Sequence, residues 1–132
     1  MTSTGEPFDT SIAPWLAVRG AQEAADFYRA AFGAVEVYRL DGVDGRLAVA
    51  HLSIGGATFW IQDDVDADPR TRGDGSVRMI LSVEDPDAVF ARAIAAGATV
   101  VAPVSDGHGW RTGRVTDPFG YGWEISRELA SA

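Results

Sequence analysis

Ala57-Thr58-Phe59-Trp60-Ile61-Gln62, entered through the glycine turn Gly55-Gly56, is the stretch from which the fold can be read. Its counterpart lies about 64 residues further on, at Tyr121-Gly122-Trp123-Glu124-Ile125-Ser126, entered through Gly120. Gly56 corresponds to Gly120, Ile61 to Ile125 and, upstream, Gly33 to Gly97. Two copies at a period beyond that of the usual solenoid repeats imply duplication of a half-domain rather than an array.

Outward from the first copy, Leu47 to Ile54 and Val35 to Leu40 read as strands, separated by the turn Asp41-Gly42-Val43-Asp44-Gly45. Ahead of them Ala21, Ala24, Ala25, Tyr28, Ala31 and Phe32 recur at helical spacing, and Gly33 supplies the left-handed stop. The run Ile12 to Val18 alternates, with Ala13, Trp15 and Ala17 on one face, and Pro14 marks an edge or an unpaired amide. The order is strand, helix, strand, strand, strand. The second half repeats it. Val77 to Val83 is a strand, Asp85-Pro86 caps a helix with Phe90, Ala93 and Ile94 on its apolar face, and Gly97 stops it. Strands follow at Thr99 to Pro103, around Arg111 to Thr116, and at Tyr121 to Ser126. The spacing thus predicts one α+β domain over 11–128, built of βαβββ modules at 11–62 and 76–128, with a polar linker at 63–75 and a frayed tail at 1–10.

The chain has 132 residues, 46% hydrophobic and 23% charged, with a formal net charge of −8, the profile of one soluble globular domain. The absence of cysteine excludes a disulfide framework, thiolate ligands and a cysteine nucleophile, and fits a cytoplasmic location. No basic face is available to neutralise phosphates, so nucleic acid is not an expected partner. No apolar run approaches membrane-spanning length, and Met1 to Asp9 lacks the pattern of a signal peptide. Neither a Gly-x-Ser-x-Gly elbow nor a phosphate loop occurs.

The elements Pro14-Trp15-Leu16-Ala17-Val18, Ala25-Asp26-Phe27-Tyr28, Ala31-Phe32-Gly33-Ala34, Leu81-Ser82-Val83-Glu84-Asp85-Pro86-Asp87, Ala95-Ala96-Gly97-Ala98 and Thr116-Asp117-Pro118-Phe119-Gly120-Tyr121, in this order, resemble the vicinal-oxygen-chelate superfamily of glyoxalases, bleomycin-resistance proteins and extradiol dioxygenases. The resemblance covers nearly all of Ile12 to Glu128. It implies paired βαβββ modules forming a curved, mainly antiparallel sheet around a cavity, and a homodimer. In enzymatic members it also implies a divalent metal held by four side chains, one from the first and last strand of each module.

Carried onto this sequence, those four positions fall on Ala13, Trp60, Arg78 and Glu124. A methyl group and an indole do not ligate, and a guanidinium repels a cation, so only Glu124 keeps ligand chemistry. The expectation is therefore no cofactor. The alternative is a divalent metal held through His51 and Glu124, His51 sharing a strand face with Val49 and Ser53.

The replacements have chemistry of their own. Trp15, Trp60 and Gln62 offer an aromatic wall with an amide, His51 shares that interior, and Arg78 can pair with Glu124. Trp110 and Arg111 are placed in the glycine-rich loop before the seventh strand, where they would gate or contact a ligand. Trp123 alternates away from Glu124 and is assigned to the core. A pocket of apolar walls with a few placed polar groups is the general form of a small-molecule site. The reading is a metal-free binding protein that sequesters an antibiotic or another aromatic or cationic metabolite. The alternative is a lyase, isomerase or oxygenase with a non-standard metal, or with Glu124 as general base.

Overall fold

Local chemistry sets the helix boundaries. Asp63 accepts from the N–H groups of Gly20 and Ala21 at 3.1 and 2.9 Å, satisfying two free donors at the start of the first helix. Gly33, at φ 73°, closes it: its N–H returns to the Arg29 carbonyl at 3.0 Å and the N–H of Ala34 to the Tyr28 carbonyl at 3.2 Å. In the second half, Asp85 accepts from Ala88 N at 3.2 Å and Pro86 takes the first helical position, as the sequence predicts.

The computed structural model describes residues 8–71 and 77–130. The elements are β1 (Trp15–Val18), α1 (Ala21–Phe32), β2 (Val35–Asp41), β3 (Leu47–Ile54), β4 (Ala57–Asp63), a 3₁₀ turn at Pro69–Thr71, β5 (Arg78–Ser82), α2 (Pro86–Ala96), β6 (Thr99–Gly107), β7 (Trp110–Thr116) and β8 (Gly122–Glu128). They form two four-stranded sheets of one topology, β1-β4-β3-β2 and β5-β8-β7-β6. The first strand of each module pairs in parallel with the last, and the other pairings are antiparallel. This is the α+β fold of two βαβββ modules read from the repeat; the sheets are open rather than closed barrels.

Each sheet has one face covered by helix and one open face. Period-two alternation sends Phe59 and Ile61 of β4, and Trp123 and Ile125 of β8, to the helix side, where all four are buried. Tyr28 of α1 is fully buried between the modules, edge-on to Phe59 at 5.2 Å and tilted against Trp123 at 5.6 Å. Phe59 and Trp123 themselves meet at 5.6 Å, so the two modules share one core. Burial of each such ring contributes roughly 1.5–3 kcal/mol.

Several boundaries differ from the sequence reading. β1 starts at Trp15 rather than Ile12: Pro14 has no N–H to pair, although its carbonyl accepts from Trp60 N at 2.9 Å, and Ile12 is exposed. Asp63 belongs to β4 and caps α1, so it is not linker. Of the remaining linker, Pro69–Thr71 coil into a 3₁₀ turn, and 72–75 lie outside the described residues. In the expected tail, 1–7 lie outside them too, while 8–10 carry no regular structure.

Candidate functional site

On the open face of the first sheet, the strand pairings place one residue from each strand in a single row: Trp15 opposite Trp60, Trp60 opposite His51, and His51 opposite Tyr38. Three of these four side chains stack in sequence. The Trp15 and Trp60 rings lie 5.8 Å apart at 22°, and His51 stacks on Trp60 at 4.0 Å and 5°. Tyr38 meets Trp60 edge-on at 6.0 Å. Trp15 Nε1 donates to Gln62 Oε1 at 3.0 Å, fixing the outer indole. Trp15 is 53% exposed and Tyr38 49%, so the row is a platform open to solvent rather than a plug. The sequence-predicted Trp15, His51, Trp60 and Gln62 are thus brought together.

Tyr38 was missed by sequence reasoning. The pairing of β2 with β3 is irregular between Glu36 and Tyr38, where Val37 is an extra residue. Such a bulge shifts the alternation by one and turns Tyr38 to the open face beside His51. The signal available was a tyrosine in a predicted strand; the bulge itself left none.

The equivalent row of the second sheet is Ile80, Glu124, Arg114 and Ala102. Arg78, one strand-period before Ile80, reaches diagonally to Glu124, with Nη2 2.7 Å from Oε1. Arg78 and Glu124, both predicted for the site, therefore meet as the expected ion pair. The next row holds Ser82, Ser126 and Thr112.

These positions do not fit a catalytic divalent ion. Ala13 lines an apolar groove of about 500 Å³ with Pro14, Thr58, Arg78 and Ile80. Trp60 is engaged in the aromatic row, and the Glu124 carboxylate is neutralised by Arg78. His51 and Glu124 stand in different sheets, His51 stacked on Trp60. Among the described residues, no three His, Cys, Asp or Glu side chains converge as a ligand set.

Trp110 and Arg111 are not loop residues. β6 and β7 form a hairpin turned by His108 and Gly109, at φ 54° and 84°, the conformation of a two-residue turn. The strand therefore begins at Trp110. Arg111 follows on the helix-covered side, with Gly113 and Val115. There its Nε and Nη2 each lie 2.7 Å from an oxygen of Asp87 in α2, and Nη1 lies 2.8 Å from Asp106. These hydrogen bonds hold the Asp87 carboxyl below the usual carboxylate range. Arg111 is a tie between sheet and helix. Trp110, 40% exposed and opposite Glu128, stands at the far end of the second sheet.

A further cluster explains why two short motifs matter together. Asp117 Oδ2 accepts from Tyr28 Oη at 2.5 Å and from Trp123 Nε1 at 2.9 Å. Its Oδ1 accepts from the N–H groups of Phe119 and Tyr121 at 2.9 and 3.0 Å. Asp26-Phe27-Tyr28 and Asp117-Pro118-Phe119-Gly120 are thus joined across the module boundary. Burial pushes the Asp117 carboxyl up against the opposing pull of these donors, and burial beside Asp117 raises the Tyr28 phenol. Gly120 is required by packing: at φ 95°, an added Cβ would lie 2.5 Å from the Pro69 carbonyl oxygen.

Paired βαβββ modules of this topology define a protein of vicinal-oxygen-chelate architecture. The model of the glyoxalase-like domain family matches residues 15–126, and the chain belongs to that family. An uncharacterized protein of Mycobacterium bovis is 42% identical over 129 residues, spanning 92% of this chain and 85% of that one. The crystal structure of TioX from Micromonospora superposes with a TM-score of 0.71 at 27% identity, covering 93% of this chain and 99% of TioX. A bleomycin-binding protein in complex with bleomycin shares the fold at 17% identity, with a TM-score of 0.67 over 91% of this chain and 99% of that one. No helix among the described residues is long and apolar enough to cross a membrane.

Proposed function

We propose that the protein is a metal-free small-molecule-binding protein that sequesters a planar aromatic compound, such as an antibiotic or another metabolite, on the Trp15–Trp60–His51–Tyr38 row. The observation that carries this reading is the exposure of that row. Aligned rings are left facing solvent where the core has no use for them, and stacking adds about 0.5–1.5 kcal/mol per pair beyond area burial. The altered metal positions favour binding over metal chemistry. The bleomycin complex of a protein with this fold is in keeping with it.

One wall is not enough. Covering roughly 200 Å² of ring surface contributes about 5 kcal/mol at about 25 cal/mol/Å². Association costs about 4–15 kcal/mol in lost freedom. A tight site needs a second wall, and we propose that a second copy of the chain supplies it in a homodimer.

The test is calorimetric titration, with tryptophan quenching, across a panel of planar aromatic antibiotics, alongside sedimentation and metal analysis of the purified protein. The expected result is a dimer with saturable heat and quenching for at least one class, weakened at least tenfold by Trp60→Ala. Absence of heat and quenching across the panel overturns the proposal. Stoichiometric zinc, nickel, manganese or iron would replace it with an enzymatic reading.

A further inference from the structure

On the open face of the second sheet Arg78, Arg114 and Glu124 lie together, while Glu128 stands at the far end opposite Trp110, so the charges around Arg114 do not cancel. Glu124 lies directly opposite Arg114 across β7 and β8, but its carboxylate is taken by Arg78 at 2.7 Å. Arg114 forms no ion pair among the described residues, and its Nε is buried without a hydrogen-bond partner. One row away, Ser126 is 2% exposed and its Oγ is likewise without a partner. Thr112 stands opposite Ser126. A buried donor left unpaired costs about 1–3 kcal/mol, more when the group is charged.

We infer that the open face of the second sheet receives an anionic group, a carboxylate, sulfonate or phosphate carried by the ligand. Arg114 is its countercharge, and the hydroxyls of Thr112 and Ser126 are neutral hydrogen-bonding partners. A guanidinium with an open fork suits an oxyanion because its N–H donors match two acceptor oxygens at once. The Arg78–Glu124 pair beside it contributes no net charge and holds Glu124 away from Arg114. This inference deepens the small-molecule reading and rests on it: the ligand is an aromatic acid, rather than the cation that the overall acidity of the chain favours.

The experiment compares sodium 2-naphthoate, its neutral isostere 2-naphthamide and 2-naphthylmethylammonium on the intact protein, by calorimetry at fixed ionic strength. The Arg114 Nε–Hε resonance is followed by NMR. The naphthoate should bind at least about tenfold tighter than the amide, about 1.4 kcal/mol. It should shift the Arg114 resonance while the amide leaves it in place. Arg114→Met should reduce the preference to about one. Equal binding of acid and amide, preference for the ammonium, or an unmoved Arg114 resonance would overturn the inference and leave the aromatic platform standing. Failure of all three probes to bind would overturn both. Because the NMR readout uses the unmutated protein, the outcome does not depend on the variant folding.

Discussion

The central row of the first sheet reads Trp15, Trp60, His51, Tyr38, while the matching row of the second reads Ile80, Glu124, Arg114, Ala102. On the other faces of the same strands stand Phe59 and Ile61 in one sheet and Trp123 and Ile125 in the other, all buried. The helix-covered faces kept one character in both modules because they share a core that tolerates little change of volume. The open faces carry no such constraint, and one became aromatic while the other became charged. Function in this molecule is written on the faces that packing leaves free.

The largest test of that contrast uses two adjacent residues of β4. Phe59→Ala empties the shared core and should cost about 3–5 kcal/mol. Trp60→Ala, one residue on but facing out, should cost about 1 kcal/mol through lost ring contacts. Urea denaturation of both variants measures the gap, and comparable losses would break the division between frame and site.

Next in size is Asp117→Asn, expected to cost about 2–3 kcal/mol, because the amide cannot accept from all four donors at once. The sign with pH can be worked out. The folded-state pKa of Asp117 is raised by burial, so the folded chain holds this proton more tightly than the unfolded one. Its contribution is therefore fully present below the ordinary value of about 3.9 and is lost as pH rises through the folded pKa. A carboxyl-carbon NMR titration of Asp117 should show a midpoint above that ordinary value.

A smaller effect concerns the charged row. A double-mutant cycle with Arg78→Met and Glu124→Gln should give a coupling of about 0.5–1 kcal/mol that weakens with salt, since Arg78 is 38% exposed. A coupling well above that range would mean the pair organises the second sheet rather than merely occupying it.

The smallest effect is expected for Arg111→Met. The Asp87 titration midpoint should rise toward the ordinary value, since the hydrogen bonds from Arg111 are what depress it. That interaction stabilises above the unfolded pKa of about 3.9 and is lost as pH falls through the depressed folded value, so the variant loses stability at neutral pH but not in strong acid. Ligand affinity should not change, because Arg111 lies on the helix side. A drop in affinity would put the assignment of faces in doubt.

How much was legible depended on how local the determining chemistry is. Trp15, Trp60, Gln62, Arg78 and Glu124 lie in strands of unbroken alternation, so counting by twos gave their faces. Tyr38 follows an extra residue, and Arg111 follows a turn shorter than its glycines imply; one unit of phase error exchanges the two faces of a strand. Arg114 lay in a predicted strand, but its lack of a partner depends on Arg78 claiming Glu124 first, a competition among three side chains from three strands.

By itself the sequence determined the duplicated βαβββ frame, the Asp85 cap of the second helix and the glycine stops of both helices. These follow from backbone preference and periodicity, which act over a few residues. Only the tertiary structure decided that four rings from four strands share one row, that Asp117 fastens one module to the other through Tyr28, and that Arg114, opposite a glutamate, has no ion pair among the described residues. Those outcomes depend on register and on which groups reach each other first, quantities that exist only once distant segments of the chain are packed together.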